Sequence, residues 1–293
     1  MRRIRSLKII DTVPYFFTNY EATTQSLREY FAAFPEIFEE YFTRHCKNTE
    51  ERHVQSIEKY PQHFNAIKEV HKSIQIIIQE IAGAYNKKYN ISFPVDINLV
   101  VGGFGSNAYT YQQIIPNITF ALEKLSPNPD HLRVIVAHEF GHLAQNIISD
   151  NRGMDWSKVQ WTNPLNWLYR EGIATDLSRQ VVDIMHPSIY FSYNDEGKDW
   201  YDFAQANTTK IKQAFNEDYK VLTTEEIFHE WFSINGGRKF GYNRLAYFLG
   251  DLFVRKYKGK HGEIATITAW KDPALEVNIA QWLSQEGEDI YVK

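Results

Sequence analysis

His138-Glu139-Phe140-Gly141-His142 brings two imidazoles to one face only if the backbone there is helical, because residues four apart stand one turn above each other. The flanking residues ask for the same geometry. Leu132, Val134, Ile135, Val136 and Ala137 precede the first histidine, and Leu143, Ala144, Ile147 and Ile148 follow the second. That run is apolar on nearly every side, as in a helix at the middle of a domain. Asn128 offers an N-cap and Pro129 the first helical residue. Two histidines and a glutamate inside such a helix are costly to bury without a partner. One divalent ion gripped by both imidazoles supplies that partner, with Glu139 leaning toward whatever the ion binds.

The third ligand narrows the possibilities. The extended HExxHxxGxxH spacing needs glycine at 145 and histidine at 148, and the chain has Gln145 and Ile148 there. A three-histidine site is excluded. A second helical run opens at Asn163-Pro164 and continues from Leu165 to Val182, carrying Trp167-Leu168-Tyr169-Arg170-Glu171-Gly172-Ile173-Ala174. HExxH followed by this segment resembles the gluzincin metallopeptidases, the group of thermolysin and the membrane alanyl aminopeptidases. It is most similar to bacterial zinc-dependent proteases of unassigned substrate. The likeness covers roughly residues 95 to 255, and only the two metal helices are specific. It implies one zinc ion held by His138, His142 and Glu171, with Glu139 as general base, in a zincin-like α+β domain.

Two features depart from the family pattern. The stretch between His142 and Glu171 is longer than usual, with an insertion around Ser149 to Thr162. Asp150-Asn151-Arg152-Gly153 makes it a loop, whose Trp156 and Trp161 either wall a pocket or pack the loop down. One turn after Glu171 stands Thr175 in place of an acid, and Asp176 is displaced around the helix. The group that orients the histidines is therefore not read from the sequence.

A peptide-bond hydrolase of this kind also needs a donor for the developing oxyanion. Tyr247, three residues before Gly250 in a late helical run, is the first candidate; Tyr242, Arg244 and His229 are its rivals. Residues 95–101, 108–115 and 118–122 read as strands. Gly102-Gly103-Phe104-Gly105, at a strand end, is expected to bind the substrate backbone, with a plain hairpin turn as the alternative. No acid lies between Ile97 and Ala121, so the carboxylate an aminopeptidase needs would fall to Glu123. Two other classes share the motif. One is an inactive protein using zinc for folding or partner binding; the other is a zinc hydrolase of a non-peptide bond.

Strands in one block and helices in others point to α+β. Residues 1–90 read as a helical N-terminal region, with Ile74, Ile76, Ile77, Ile78 and Ile81 on a buried face. Residues 91–183 read as the zincin core, a small sheet plus the two metal helices, and 184–293 as a helical C-terminal region. Pro61, the turn at Asn86 to Asn90, and His186-Pro187 are the expected joints. Thr224-Glu225-Glu226-Ile227 reads as a capped helix start. A net charge of −4 gives no reason to expect nucleic acid or an acidic membrane surface as partner. The basic start Met1-Arg2-Arg3-Ile4-Arg5 is not followed by an apolar run of signal length, and no stretch is long and apolar enough to span a bilayer. The lone Cys46 excludes an internal disulfide and suits a reducing cytoplasm. The expected partner is a peptide or small protein substrate.

Overall fold

A computed structural model of the chain describes residues 6–183 and 186–285; the basic start at 1–5 lies outside them. The chain forms two compact units, residues 1–139 and 140–293. It is mostly helical with one four-stranded sheet, an α+β protein.

In the first unit, β1 (Lys8–Asp11) leads into α1 (Val13–Asn19), α2 (Thr24–Ala33), α3 (Pro35–Arg44) and the long α4 (Glu50–Tyr89). Then come β2 (Asp96–Val100), β3 (Ala108–Thr110) and β4 (Ile118–Ala121), followed by the first half of α5 (Pro129–Asp150). The sheet order is β1-β2-β4-β3; β2 pairs parallel with both neighbours and β3 runs antiparallel to β4. The central strands β2 and β4 are buried nearly throughout, and the polar residues that alternate along them pair with each other, Asn98 donating to the Thr119 hydroxyl (3.1 Å). β1 escapes sequence reading because Lys-Ile-Ile-Asp is too short to show a period. The expected strand over 108–115 ends at Thr110: Gln113 N–H turns back onto the Tyr111 carbonyl (2.8 Å).

Two expectations about α4 are corrected. Pro61 is no joint but lies inside one 40-residue helix. A proline inside a helix costs ~3 kcal/mol or more through its missing N–H and its ring, and packing of the neighbouring turns offsets that here. Pro61 faces solvent, and the turns around it are held by Tyr60, Ile67, Val70 and Ile74, all fully buried. Ile76 points outward at 63% exposure, because the 3.6-residue repeat that buries Ile74, Ile77, Ile78 and Ile81 leaves it on the opposite face. The break comes at Asn90, in the left-handed conformation that ends helices (φ 52°).

The second unit holds the rest of α5 and then α6 (Pro164–Val181), α7 (Ile189–Ser192), α8 (Lys198–Ala206) and α9 (Thr208–Val221). After these come α10 (Thr224–Ile227), α11 (Leu245–His261), α12 (Glu263–Ile267) and α13 (Leu275–Ser284). The N-cap of α10 is Thr223, in a full capping box with Glu226. α6 and α11 cross at backbone contact. A Cβ on Gly172 would sit 2.2 Å from the Gly250 carbonyl oxygen, and one on Gly250 2.2 Å from that of Leu168. Ion pairs lie along the same two helices: Arg179 and Arg255 meet the fully buried Asp251, and Lys258 reaches Asp176 (2.7 Å). Among the described residues, no helix is long and apolar enough to cross a membrane.

Candidate metal centre

α5 begins as its sequence implies. The Asn128 side chain accepts the Asp130 N–H (3.0 Å), and Leu132 N–H closes the first turn on the Asn128 carbonyl (3.1 Å). Further along, Tyr85 of α4, fully buried, donates its hydroxyl to the Ala137 carbonyl (2.8 Å), fixing the residue just before His138. His138, Glu139 and His142 follow, all buried.

α6 is capped by Asn163, whose side chain accepts the Leu165 N–H (2.9 Å), with Pro164 in its first turn. Two residues before Glu171, the buried Tyr169 donates to the Thr266 carbonyl (2.6 Å) and accepts the Ala269 N–H (3.1 Å). With the Gly172–Gly250 crossing, this fixes the turn that carries Glu171.

The ligand atoms of His138, His142 and Glu171 all lie within 4.8 Å of one another, a group that could hold a metal ion. His142 Nε2 is 3.5 Å from Glu171 Oε2. Zinc with bonds of 2.0–2.1 Å in a tetrahedron spaces its ligand atoms about 3.3 Å apart. Two imidazoles and one carboxylate are also donors zinc takes readily. The residues present fit the ion. Glu139, between the two histidines, is 8% exposed.

Tyr247 stands in the first turn of α11, half-buried, with the Arg244 guanidinium 4.2 Å from its ring centre. Of its rivals, Tyr242 stacks on Phe203 (4.6 Å), and His229 belongs to a π-helical turn at Phe228–Phe232. Arg244 is left-handed (φ 57°) and also lies over Tyr193 (5.5 Å). Burial works against its charge, but Tyr247, Tyr193 and Glu171 together raise its pKa above the usual arginine value. Arg170 lies over Trp161 (5.4 Å), and burial lowers its pKa. The inserted loop is packed down: Trp156 donates to Asp150 (2.8 Å) and stacks on Trp161, and both rings meet Trp270 edge-on.

The glycine segment is built differently from a strand edge. Gly102 N–H and Phe104 N–H donate to the Glu123 carboxylate (2.8 and 3.1 Å). Gly103 N–H and Gly105 N–H donate to the Tyr41 hydroxyl (2.8 and 3.1 Å). These amides have partners inside the protein. The glycines give room instead, since a Cβ at Gly102 would sit 2.4 Å from the Tyr41 oxygen and one at Gly105 2.2 Å from the His45 carbonyl. Glu123, expected as a receptor for a substrate amine, is 4% exposed and holds this loop. Desolvation pushes its pKa up to about 7, against the pull of the amides.

Sequence reading missed Tyr85, Tyr169 and Arg170. The two tyrosines carry no signal among 18, whereas an arginine beside the candidate ligand Glu171 has its place in the sequence as a signal. No curated protein and no solved structure matches the chain. The model of the family described as "Putative zinc dependent peptidase (DUF5700)" matches residues 15–225, which takes in the HExxH helix and Glu171. The chain belongs to this family of zinc-dependent peptidases.

Proposed function

We propose that the protein is a metallopeptidase of the gluzincin type, with a thermolysin-like core and one zinc ion held by His138, His142 and Glu171. The observation that carries this is the convergence of those three side chains to within 4.8 Å, with a buried glutamate between the two histidines. A structural zinc site normally closes with four protein ligands and has no use for that glutamate. Zinc, when bound, supplies Lewis acidity, which lowers the pKa of a water molecule and polarises the scissile carbonyl.

Glu139 is the general base: it takes the proton of the attacking water and returns it to the leaving amine. Tyr247 is the donor for the developing oxyanion. Its place in the first turn of α11 supports that role, and the Gly172–Gly250 crossing ties α11 to the helix of Glu171. The substrate is a peptide or small protein.

Elemental analysis of the purified protein, followed by Glu139→Gln, tests the reading. Zinc at one ion per chain and hydrolysis of a peptide mixture are expected of the natural protein. The variant should keep zinc and fold while losing about 10²–10⁴-fold in rate. A protein without zinc, or a variant as active as its parent, would overturn the reading. Peptides with free and blocked N-termini separate exo- from endopeptidase action.

A further inference from the structure

The cations of α6 and α11 fall into two sets. Arg179, Arg255 and Lys258 are matched to Asp251 and Asp176. Arg170 and Arg244 are not. Among the described residues no carboxylate lies within ion-pair distance of either, and their neighbours are aromatic faces: Trp161 for Arg170, Tyr193 and Tyr247 for Arg244. The Arg170 Nε is buried with no hydrogen-bond partner. Arg170 directly precedes Glu171, and Arg244 caps α11, which crosses the helix of Glu171 at Gly172–Gly250.

Arg244 is also held in place at some cost. A left-handed backbone costs a residue with a side chain on the order of 1–2 kcal/mol. Only four described non-glycine residues adopt it, and two of them, Tyr193 and Arg244, meet here. Arg244 hydrogen-bonds to Tyr193 and lies 4.2 Å from the Tyr247 ring centre. Its planar fork is thus fixed by two rings and a hydroxyl, the arrangement that suits paired hydrogen bonds to a carboxylate. A divalent ion balanced by the carboxylates of Glu139 and Glu171 leaves Arg170 and Arg244 as surplus positive charge around the centre. Such a site favours an anionic ligand.

We propose that Arg244, braced by Tyr193 and Tyr247, binds a carboxylate of the substrate, with Arg170 adding to the attraction. The substrates are therefore peptides that present a carboxylate near the scissile bond, either the free C-terminus or an acidic side chain. This rests on the metallopeptidase reading above.

The test is calorimetric binding of four probes to the zinc-loaded Glu139→Gln protein and to its zinc-free form: acetyl-Ala-Phe as free acid and as amide, and acetyl-Ala-Glu-amide and acetyl-Ala-Gln-amide. At least one acid should bind about tenfold or more tighter than its uncharged partner, and that preference should vanish in Arg244→Gln and return only in part in Arg244→Lys, which keeps the charge without the fork. The first pair of probes reports the C-terminus and the second the side chain. Equal binding of acids and amides overturns the proposal without any variant, so a poorly folded Arg244→Gln leaves the test intact. A preference that survives Arg244→Gln at unchanged zinc content also overturns it. If the natural enzyme cleaves acid and amide peptides equally well, the proposal falls while the peptidase reading stands. If no peptide is cleaved but the acids still bind through Arg244, the peptidase reading falls instead.

Discussion

Two carboxylates of this molecule, Glu123 buried and Glu171 partly exposed, show how differently one chemical group can be used. Glu123, in the first unit, accepts from two backbone amides of its own chain with its two carboxyl oxygens, and Gly103 and Gly105 of the loop it holds donate to Tyr41. Glu171, in the second unit, faces an imidazole at 3.5 Å, keeps a fifth of its side chain exposed, and is preceded by Arg170, which has no carboxylate partner among the described residues. The first is a closed arrangement in which every bond serves the fold. The second stands with two histidines in a group that could hold a metal ion. Burial alone does not mark a functional acid; the company of other metal-ligating side chains does.

The contrast can be broken by mutation. Glu171→Gln should have the largest effect on metal and the smallest on fold. Zinc content measured by elemental analysis should fall below one tenth of the natural level, with the thermal midpoint of the zinc-free protein unchanged or raised. A large loss of stability in the zinc-free state would place Glu171 with Glu123 as a structural acid. Asp251→Asn removes the closed partner of Arg179 and Arg255 and should cost about 3–5 kcal/mol in denaturant unfolding, because a buried guanidinium is left uncompensated.

Glu123→Gln sharpens the comparison through pH. The Glu123 carboxyl ionises at 4.5 in the open and at about 7 in the fold, so the folded state holds its proton more tightly. The contribution of this group is greatest below 4.5 and is lost as pH rises through about 7. The loss is on the order of 3 kcal/mol. Glutamine cannot accept from both amides and cannot ionise. The variant should be about 1–3 kcal/mol less stable at acidic pH, with the gap to the natural protein narrowing toward alkaline pH. Parallel pH profiles would refute the assignment. Thr223→Ala, which opens the capping box of α10, should cost about 1 kcal/mol and leave zinc and activity alone.

Features with a local signature were legible in the sequence. The metal helices announced themselves by Asn-Pro caps and by the four-residue histidine spacing, and α5 and α6 begin where those caps stand. The role of Gly250 is not legible, because a glycine in a helical run does not say which backbone comes close; here it is that of α6. The Gly102–Gly105 segment was read for its glycines alone, whereas its structure is decided by Tyr41 and Glu123, 61 and 21 residues from Gly102. Pro61 was read by local rule, and tertiary burial of its neighbours prevailed. The pairing of Asp251 with Arg179 and the unmatched state of Arg244 are long-range facts of the same kind. No periodicity encodes them.

Three indoles, Trp156, Trp161 and Trp270, lie within about 6 Å of one another, and the outermost carries Arg170 on its face. Such a cluster should couple its ring transitions and give the near-ultraviolet dichroism a distinctive band. Any molecule that disturbs Arg170 would alter that band, so the chain contains an unlabelled optical reporter one residue away from Glu171 of the candidate metal centre.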